Sequence, residues 1–499
     1  MDDEWQTIAN DAITVSLVRP GAAGIDKITS FNPKFTYAMF QEEYIIGYQG
    51  LKIQLQYDAR DLRPNLAVSY SKKNDAVLSI ESFDVKEVLK EFLPGVAFQS
   101  RSTYEDAVKN LPEPWSPPGT LVKSVEKNGG TYEIWKGDLS DLAVKQMLRR
   151  IQFTVLLFIE GGSYIGIDEN GNDEPESSLA RWSVFFIYKK ESAPNATDKT
   201  QYVFQGFSTV YDFWLFQQST PPSSPRDSSA PIEPKVDDSW ELPAGDFPFA
   251  DFPKRQRISQ FIILPPFQGK GVGALLYSTI FELYHAQASV KEITVEDPNE
   301  DFDLLRDLCD LKYLRKNIPG FAALKVNRNL FIPEKGGTLH DDTHISLANA
   351  STSSELGIVD ASKLEEMRIQ SKIAPRQFHR LVEMHLMSTL PASVRPSADI
   401  SEEPSMKPPA PKDAIKAYTL WRLLLKQRLY RRNVLVLAEL ETTERIIKLN
   451  ETVSNVEWEY ARILERAEPE AAATNGKRKI DSDAETDTPS SKKVRVEDA

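Results

Sequence analysis

The sequence predicts an α+β protein, with a mixed-sheet core, an α+β unit before it and a helical region after it. Three observations predict this. Long runs rich in Phe, Val, Tyr and Trp fill the middle of the chain, the composition of strands. An apolar face at helical spacing follows them, at 272, 275, 276, 280 and 283. Toward the C-terminus, 362–388 and 413–467 read as helices.

In chain order, residues 7–115 alternate short apolar runs such as LKIQLQY (51–57) with turn residues, giving a small α+β unit. LSDLAVKQMLRRI (139–151) reads as a helix. FTVLLFIE (153–160), WSVFFIYKK (182–190), YVFQGFSTVYDFWLF (202–216) and RISQFIIL (257–264) read as strands. VGALLYSTIFELYH (272–285) is the amphipathic helix, VKEITVE (290–296) a further strand and DFDLLRDLCDL (301–311) a further helix. The late helices have a face that is only partly apolar, as Leu420, Leu424, Asn433 and Leu437 show.

Breaks divide the chain. Residues 217–254 are rich in Pro, Ser and Asp without an apolar period, so a disordered insertion is expected there. A second Pro- and Ser-rich stretch covers 390–412. The expected organisation is an N-terminal α+β domain (7–115), a core at 130–318 interrupted by the insertion, a helical region (362–468) and a disordered tail (469–499).

With 499 residues, 41% of them hydrophobic, the chain can bury several domains' worth of core. Its net charge of −13 argues against bare nucleic acid as the main partner, because phosphate binding needs clustered Lys and Arg. Cys309 is the single cysteine, which excludes an intrachain disulfide or a cysteine-based metal site. The acidic start MDDEWQTIAN lacks the pattern of a signal peptide, and no run approaches the ~20 apolar residues of a membrane span. A soluble intracellular protein is expected. His340 and His344 have metal-ligand spacing, but HDDTH lies in a Gly- and Asp-rich stretch that does not read as a helix, and no metal is expected.

The most informative segment is Gln268-Gly269-Lys270-Gly271-Val272-Gly273, between a strand and a helix. Glycines allow a sharp turn and a close backbone approach, and the N–H groups at a helix start attract an anion such as a pyrophosphate. A Walker loop would need glycine where Leu264 stands, and a dinucleotide turn would need different glycine spacing, although Glu292 and Glu296 lie near the distance of its acidic residue. A tight connection with no ligand is the bland alternative.

Gln268-x-x-Gly271-x-Gly273 resembles the signature of the GCN5-related N-acetyltransferase superfamily. Its surroundings, RISQFIILPPFQGKGVGALLY (257–277) and EITVEDPNEDFDLLRD (292–307), resemble more narrowly the type B histone acetyltransferase catalytic subunit. GYQGLKI (47–53), FIEGGSYIGID (158–168) and GFSTVYDFW (206–214) extend the likeness, which covers roughly residues 30–320. The resemblance implies a GCN5-related N-acetyltransferase core, a substrate-side N-terminal domain, and acetyl-CoA as co-substrate without a metal. Phe261, Ile262 and Ile263 would pair with the pantetheine arm. Gln268, Gly269, Lys270, Gly271, Val272, Gly273 and Ala274 would hold the pyrophosphate, and Asn299 would also touch the coenzyme. Where the family has an arginine a little farther on, Leu308 stands here, so that contact is either absent or supplied by Arg306.

Acetyl transfer to lysine needs a neutral amine, whereas a free lysine has a pKa of about 10.4. A carboxylate raised by burial or by a neighbouring acid can take the proton. The resemblance gives that role to Glu296, with Asp297 supporting it, and places Glu160 near the substrate lysine. Solvated charges at strand ends are the bland reading of all three. The resemblance also implies that Glu42, Glu43, Tyr44, Trp182, Phe213, Trp214 and Leu215 contact a histone tail, that of free histone H4. Aromatic rings can pack on a lysine stem and attract its cation. A WD40-propeller histone chaperone is the implied partner.

In the tail, Lys477-Arg478-Lys479 and Lys492-Lys493-Val494-Arg495 resemble a bipartite nuclear import signal, so nucleus and cytoplasm are both expected. Cys309, inside a helix, reads as a structural thiol. Two rival functions remain: an acetyltransferase of the same superfamily acting on another amine, and a non-catalytic histone chaperone subunit.

Overall fold

The computed structural model describes residues 5–21, 24–74, 84–112, 114–127, 129–168, 170–192, 200–215, 252–330, 358–397 and 410–468. Two units make up the chain. The first runs to Leu324 and includes Asp360–Leu381; the second takes Lys325–Val359 and everything from Val382.

The first unit opens with β1 (Gln6–Ile8), α1 (Ala9–Ala12), β2 (Ile13–Gly21), β3 (Gly24–Phe31), β4 (Tyr44–Ile46), β5 (Tyr48–Gln49), β6 (Lys52–Asp58), β7 (Pro64–Ser69) and β8 (Lys72–Lys73). Four of these strands form a sheet in the order β3-β2-β6-β7, with β2 and β6 parallel and the other pairs antiparallel. In β6 the alternation is plain: Ile53, Leu55 and Tyr57 are buried while Lys52 and Gln54 face water. Two ribbons, β1–β4 and β5–β8, complete this part. Helices α2 (Val85–Lys90) and α3 (Arg101–Lys109) follow, started by Asp84 and Ser100, whose side chains accept N–H groups of the first turn.

A six-stranded sheet comes next, ordered β14-β13-β12-β11-β10-β9. Its strands are β9 (Thr120–Lys127), β10 (Gly130–Asp138), β11 (Trp182–Ser192), β12 (Thr200–Trp214), β13 (Lys254–Ile263) and β14 (Val290–Val295). Only β13 and β14 run parallel. Between β10 and β11 lie α4 (Leu142–Ile151), α5 (Phe153–Phe158) and α6 (Glu176–Leu179); α7 (Val272–His285) joins β13 to β14, and α8 (Glu300–Asn317) follows. One face of the sheet, with Val184, Phe186, Phe207 and Ile262, shares a continuous core with Leu148 and Val155 of α4 and α5 and with Ile53 and Leu55 of β6. α9 (Ala361–Ser371) and the start of α10 (Pro375–Ser388) finish this unit.

The second unit pairs α11 (Lys412–Arg432) with α13 (Thr442–Ala467), linked by α12 (Val434–Ala438). Glu383 anchors it: its carboxylate receives Arg428 at 2.7 Å and Tyr460 at 2.9 Å, while its carbonyl takes the Trp421 indole N–H.

Several expectations need correction. FTVLLFIE is not a strand: α5 occupies Phe153–Phe158. Gln152 keeps a right-handed helical backbone after α4, and Phe153, Thr154, Val155 and Leu157 are all buried, so the run carries no period that could separate helix from strand. The 362–388 segment is two helices, split where Lys372 turns left-handed and Ile373 bridges to Ile293. The 413–467 segment breaks around α12, and α8 runs on to Asn317. β9 and β10 were not foreseen. β13 already begins at Lys254, the last residue of the expected insertion. Residues 217–251 of that insertion, the tail with its basic clusters, and His340 and His344 lie outside the described residues.

Candidate active site

β13 extends past its parallel neighbour. Its ladder to β14 ends at Ile258 and Val295, where Glu296 N–H closes on the Ile258 carbonyl at 2.9 Å. β13 continues to Ile263, paired with β12 alone. The partner chain departs because Asp297 takes a φ of 34°, Pro298 has no N–H to offer, and Asn299 caps α8 by accepting the Phe302 N–H at 2.9 Å. Among the described residues, Phe261, Ile262 and Ile263 therefore present a backbone edge with no strand beside it on that side. An extended amide arm can add to such an edge.

The turn after β13 suits an anion. The Gln268 side chain donates to the Ile263 carbonyl at 2.8 Å and holds the turn against the strand end. Gly271, at φ 74°, starts α7, whose first intrahelical bond runs from Leu275 N–H to the Gly271 carbonyl. The N–H groups of Val272, Gly273 and Ala274 have no intrahelical acceptor and sit at the positive end of the helix dipole. At Gly269 the space a Cβ would fill is open, whereas a Cβ at Gly273 would come within 2.8 Å of Leu305, so Gly273 lets α7 approach α8. Lys270 Nζ binds the Pro266 carbonyl at 2.8 Å and Lys127 Nζ the Gly271 carbonyl at 3.0 Å, which puts two cations at this turn. Lys127, on β9, was not foreseen.

Behind the turn, α7 is fixed by buried polar groups. Tyr277 OH donates to Asp310 at 2.7 Å, and Gln377 and Arg380 of α10 each reach Asp307 at 2.9 Å. Arg306 belongs to this network, 3.5 Å from Asp310 and almost wholly buried, so it does not substitute for the family arginine replaced by Leu308. Burial pushes the Asp310 carboxyl up to about 6 and the Cys309 thiol up to about 11, so the thiol is protonated at neutral pH, as a structural cysteine would be.

Of the acidic residues, Glu296 and Asp297 follow the end of β14, where a strand end was expected, and Glu160 is placed differently. Glu296 is exposed; Ser259 Oγ donates to its Oε2 at 2.5 Å, and Arg257 Nη1 lies 3.3 Å from its Oε1. Asp297 is exposed as well. A hydroxyl and a guanidinium surround Glu296. Glu160 follows α5, not a strand, in an exposed turn. That turn is tied down twice: Gln260 of β13 donates to the Ser163 carbonyl at 2.8 Å, and Gly161 N–H donates to Tyr37 OH at 2.6 Å. Asn299 spends its side-chain oxygen on the α8 cap, leaving its amide N–H₂ for other contacts.

The aromatic residues form a row. Trp182 packs on Tyr211 and Tyr211 on Phe213, each pair with ring centroids 4.7 Å apart. Arg257 lies over Phe213 at 4.3 Å. Arg181 lies over Tyr211 at 4.4 Å and Trp214 at 4.5 Å, and Leu215 N–H binds the Pro253 carbonyl at 2.7 Å. Arg257 thus joins the aromatic row to Glu296. Glu42, Glu43 and Tyr44 sit where a turn, with Glu43 at φ 58°, enters β4. They connect to the Glu160 turn through the Tyr37 segment, since Glu43 N–H binds the Phe40 carbonyl at 2.7 Å. Of the contacts not foreseen, Arg257 and Ser259 carried the one available signal: polar residues alternating with buried ones along RQRISQF (255–261).

The family described as "Histone acetyl transferase HAT1 N-terminus" matches residues 5–160, and the one described as "Fungal HAT1, C-terminal" matches residues 346–391. A histone acetyltransferase type B catalytic subunit from Gibberella zeae is 46% identical over 508 residues, covering 99% of each chain. Its counterpart from Pyricularia oryzae is 44% identical, covering 100% of this chain and 99% of its own. The one from Neurospora crassa is 41% identical, covering 99% of each.

Proposed function

The chain belongs to the type B histone acetyltransferase catalytic-subunit family, and from that premise we propose that it carries acetyl groups from acetyl-CoA to lysines in the N-terminal tail of free histone H4, with Glu296 as general base. The carrying observation is the juxtaposition on β13: an open backbone edge and an anion-suited turn at one end, and Glu296 beside Ser259 at the point where β14 departs.

The residues fit the coenzyme. The edge at Phe261–Ile263 offers backbone groups to the pantetheine amides, and the N–H groups at the start of α7 face the pyrophosphate. When bound, acetyl-CoA supplies the thioester carbonyl that the lysine amine attacks. Glu296 takes the ammonium proton, breaking N–H and forming O–H; the neutral amine forms the new C–N bond as C–S breaks, and the second proton that the nitrogen then loses goes to the leaving thiolate. Direct attack requires both substrates on the enzyme at once, and together they would cover the exposed Glu296 and exclude water around it. Glu160 stands on the substrate side of the same strand, and the row Trp182, Phe213 and Trp214, with Leu215, Glu42, Glu43 and Tyr44, forms the path of the tail. This core is read as that of a GCN5-related N-acetyltransferase, with a WD40-propeller chaperone as partner.

The first test is to incubate the protein with acetyl-CoA and free core histones and map the acetylated lysines by mass spectrometry. Modification confined to the start of histone H4 is expected; transfer only to other amines would replace the substrate assignment. Glu296→Gln should lower turnover by about 10²–10⁴-fold, the usual worth of a general base, with acetyl-CoA affinity nearly unchanged. Full activity of that variant across the pH range would remove Glu296 from the mechanism. We also place the protein in both nucleus and cytoplasm, and deleting residues 470–499 should abolish its nuclear accumulation in cells; unchanged accumulation would refute the import role of the basic clusters.

A further inference from the structure

We propose that Arg257 is a placeholder for the substrate lysine: without substrate it occupies the two contacts the lysine cation makes, and it yields them when the lysine arrives. The inference deepens the proposed function and rests on its assignment of Glu296 as base and Phe213 as a tail contact. Lysine recognition on this face needs an aromatic surface for the stem and cation, and a carboxylate to receive the proton. Arg257 already holds both. Its guanidinium carbon lies 4.3 Å from the Phe213 ring centre, and its Nη1 lies 3.3 Å from Glu296 Oε1.

Two cations cannot share one ring face and one carboxylate oxygen, because like charges at contact distance repel and each would leave the other unpaired. The Arg257 side chain is 34% exposed and that of Glu296 42%, so water reaches both and the pair is of the weak, exchangeable kind. A lysine brought in by its peptide gains contacts along the row from Trp182 to Phe213 that Arg257 does not make, while Arg257 can turn out to solvent with its charge intact. Ser259 has the complementary task. Its hydroxyl donates to the other oxygen, Oε2, at 2.5 Å, and being neutral it does not compete with the incoming cation. It is a positioning residue that keeps the carboxylate aimed while Oε1 changes partner.

The test measures affinity, not turnover, on the full-length enzyme saturated with coenzyme A. Two histone H4 tail peptides are compared, one native and one with norleucine at the acetylated lysine. The norleucine peptide keeps every other charge and the stem but lacks the competing cation. Arg257→Gln should bind the native peptide about three- to tenfold more tightly, the scale of one exposed cation–π contact plus one exposed ion pair, and the norleucine peptide with a clearly smaller gain, because its stem still claims the Phe213 face but nothing in it claims Glu296. Arg257→Lys keeps a cation and should leave both affinities near wild type. Unchanged or weaker native-peptide binding by Arg257→Gln overturns the proposal. So does an equal gain for both peptides, which would mean only a general change in charge or fold. Failure of the wild type to bind the native peptide while it binds coenzyme A would overturn the histone-tail reading itself, and the placeholder with it.

Discussion

Gly206 lies where β12 passes β13 and β11, and replacing it with alanine tests how the coenzyme edge is held. A Cβ there would overlap the Ile262 carbonyl oxygen and come within 2.9 Å of Ile263 Cα. Both are backbone atoms and cannot swing aside. Restoring an ordinary contact of about 3.5 Å to that Cα means separating the strands by at least about 0.6 Å. The adjacent bond from Leu264 N–H to the Gln205 carbonyl, now 2.9 Å, would stretch to about 3.5 Å, beyond good N–H···O geometry. A weakened ladder bond and an overpacked site together cost about 1–3 kcal/mol. For a unit of this size that is a fall in Tm of roughly 2–8 °C. The displaced residues are Phe261–Ile263, so acetyl-CoA affinity should fall together with stability. Thermal unfolding with and without acetyl-CoA reads both. An unchanged Tm with the same stabilisation by acetyl-CoA would show that the strands do not need Gly206, and that the close approach does not set the coenzyme edge.

Two further predictions concern the turn and the helix α8 packed behind it. Gly271→Ala places a Cβ on a residue at φ 74°, a conformation costing about 1–2 kcal/mol for an L-residue, so acetyl-CoA binding measured by calorimetry should weaken on the order of tenfold, and unchanged affinity would separate the turn from the phosphates. Burial raises the Asp310 carboxyl from 3.8 to about 6 in the fold, so its stabilising contribution is full only below pH 3.8 and is lost as pH rises through about 6. Relative to Asp310→Asn, which cannot ionise, the wild type should lose about 2 kcal/mol of unfolding free energy between pH 4 and pH 8, and a difference flat with pH would contradict the buried carboxyl.

What could be read from the sequence follows from how local each signal is. The helix at 272–285 shows its face within a few turns, and the glycine turn states its backbone need in six residues, so both are found where expected. FTVLLFIE fails because a segment buried all round keeps no polar phase, and only its continuation from α4 through Gln152 makes it a helix. β9 is harder still: as an edge strand it exposes Leu121 and carries two lysines, Lys123 and Lys127, so its membership of the sheet is decided by its pairing with β10, not by its own composition.

The site adds a problem that no local pattern resolves. Strict alternation along β13 would put Arg257 and Phe261, four residues apart, on one face. The pairing with β12 shifts between Thr209 and Val210 and leaves Ser259 as the extra residue of a bulge. Before the bulge Arg257 pairs with Tyr211; after it Gln260 pairs with Thr209 and Phe261 with Ser208. Cross-strand partners share a face, so Arg257 and Gln260 lie on one side and Phe261 on the other. The contacts agree: Phe261 packs on Phe302 of α8 at 4.9 Å, while Arg257 packs on Phe213 and Gln260 reaches the Glu160 turn. That one inserted residue sends the strand's coenzyme end toward α7 and α8 while turning Arg257 to the aromatic row. A one-residue slip exchanges the faces, and a single sequence holds nothing that fixes the slip. The candidate base could be named from its motif, but its neighbours follow from a register that only the folded sheet defines.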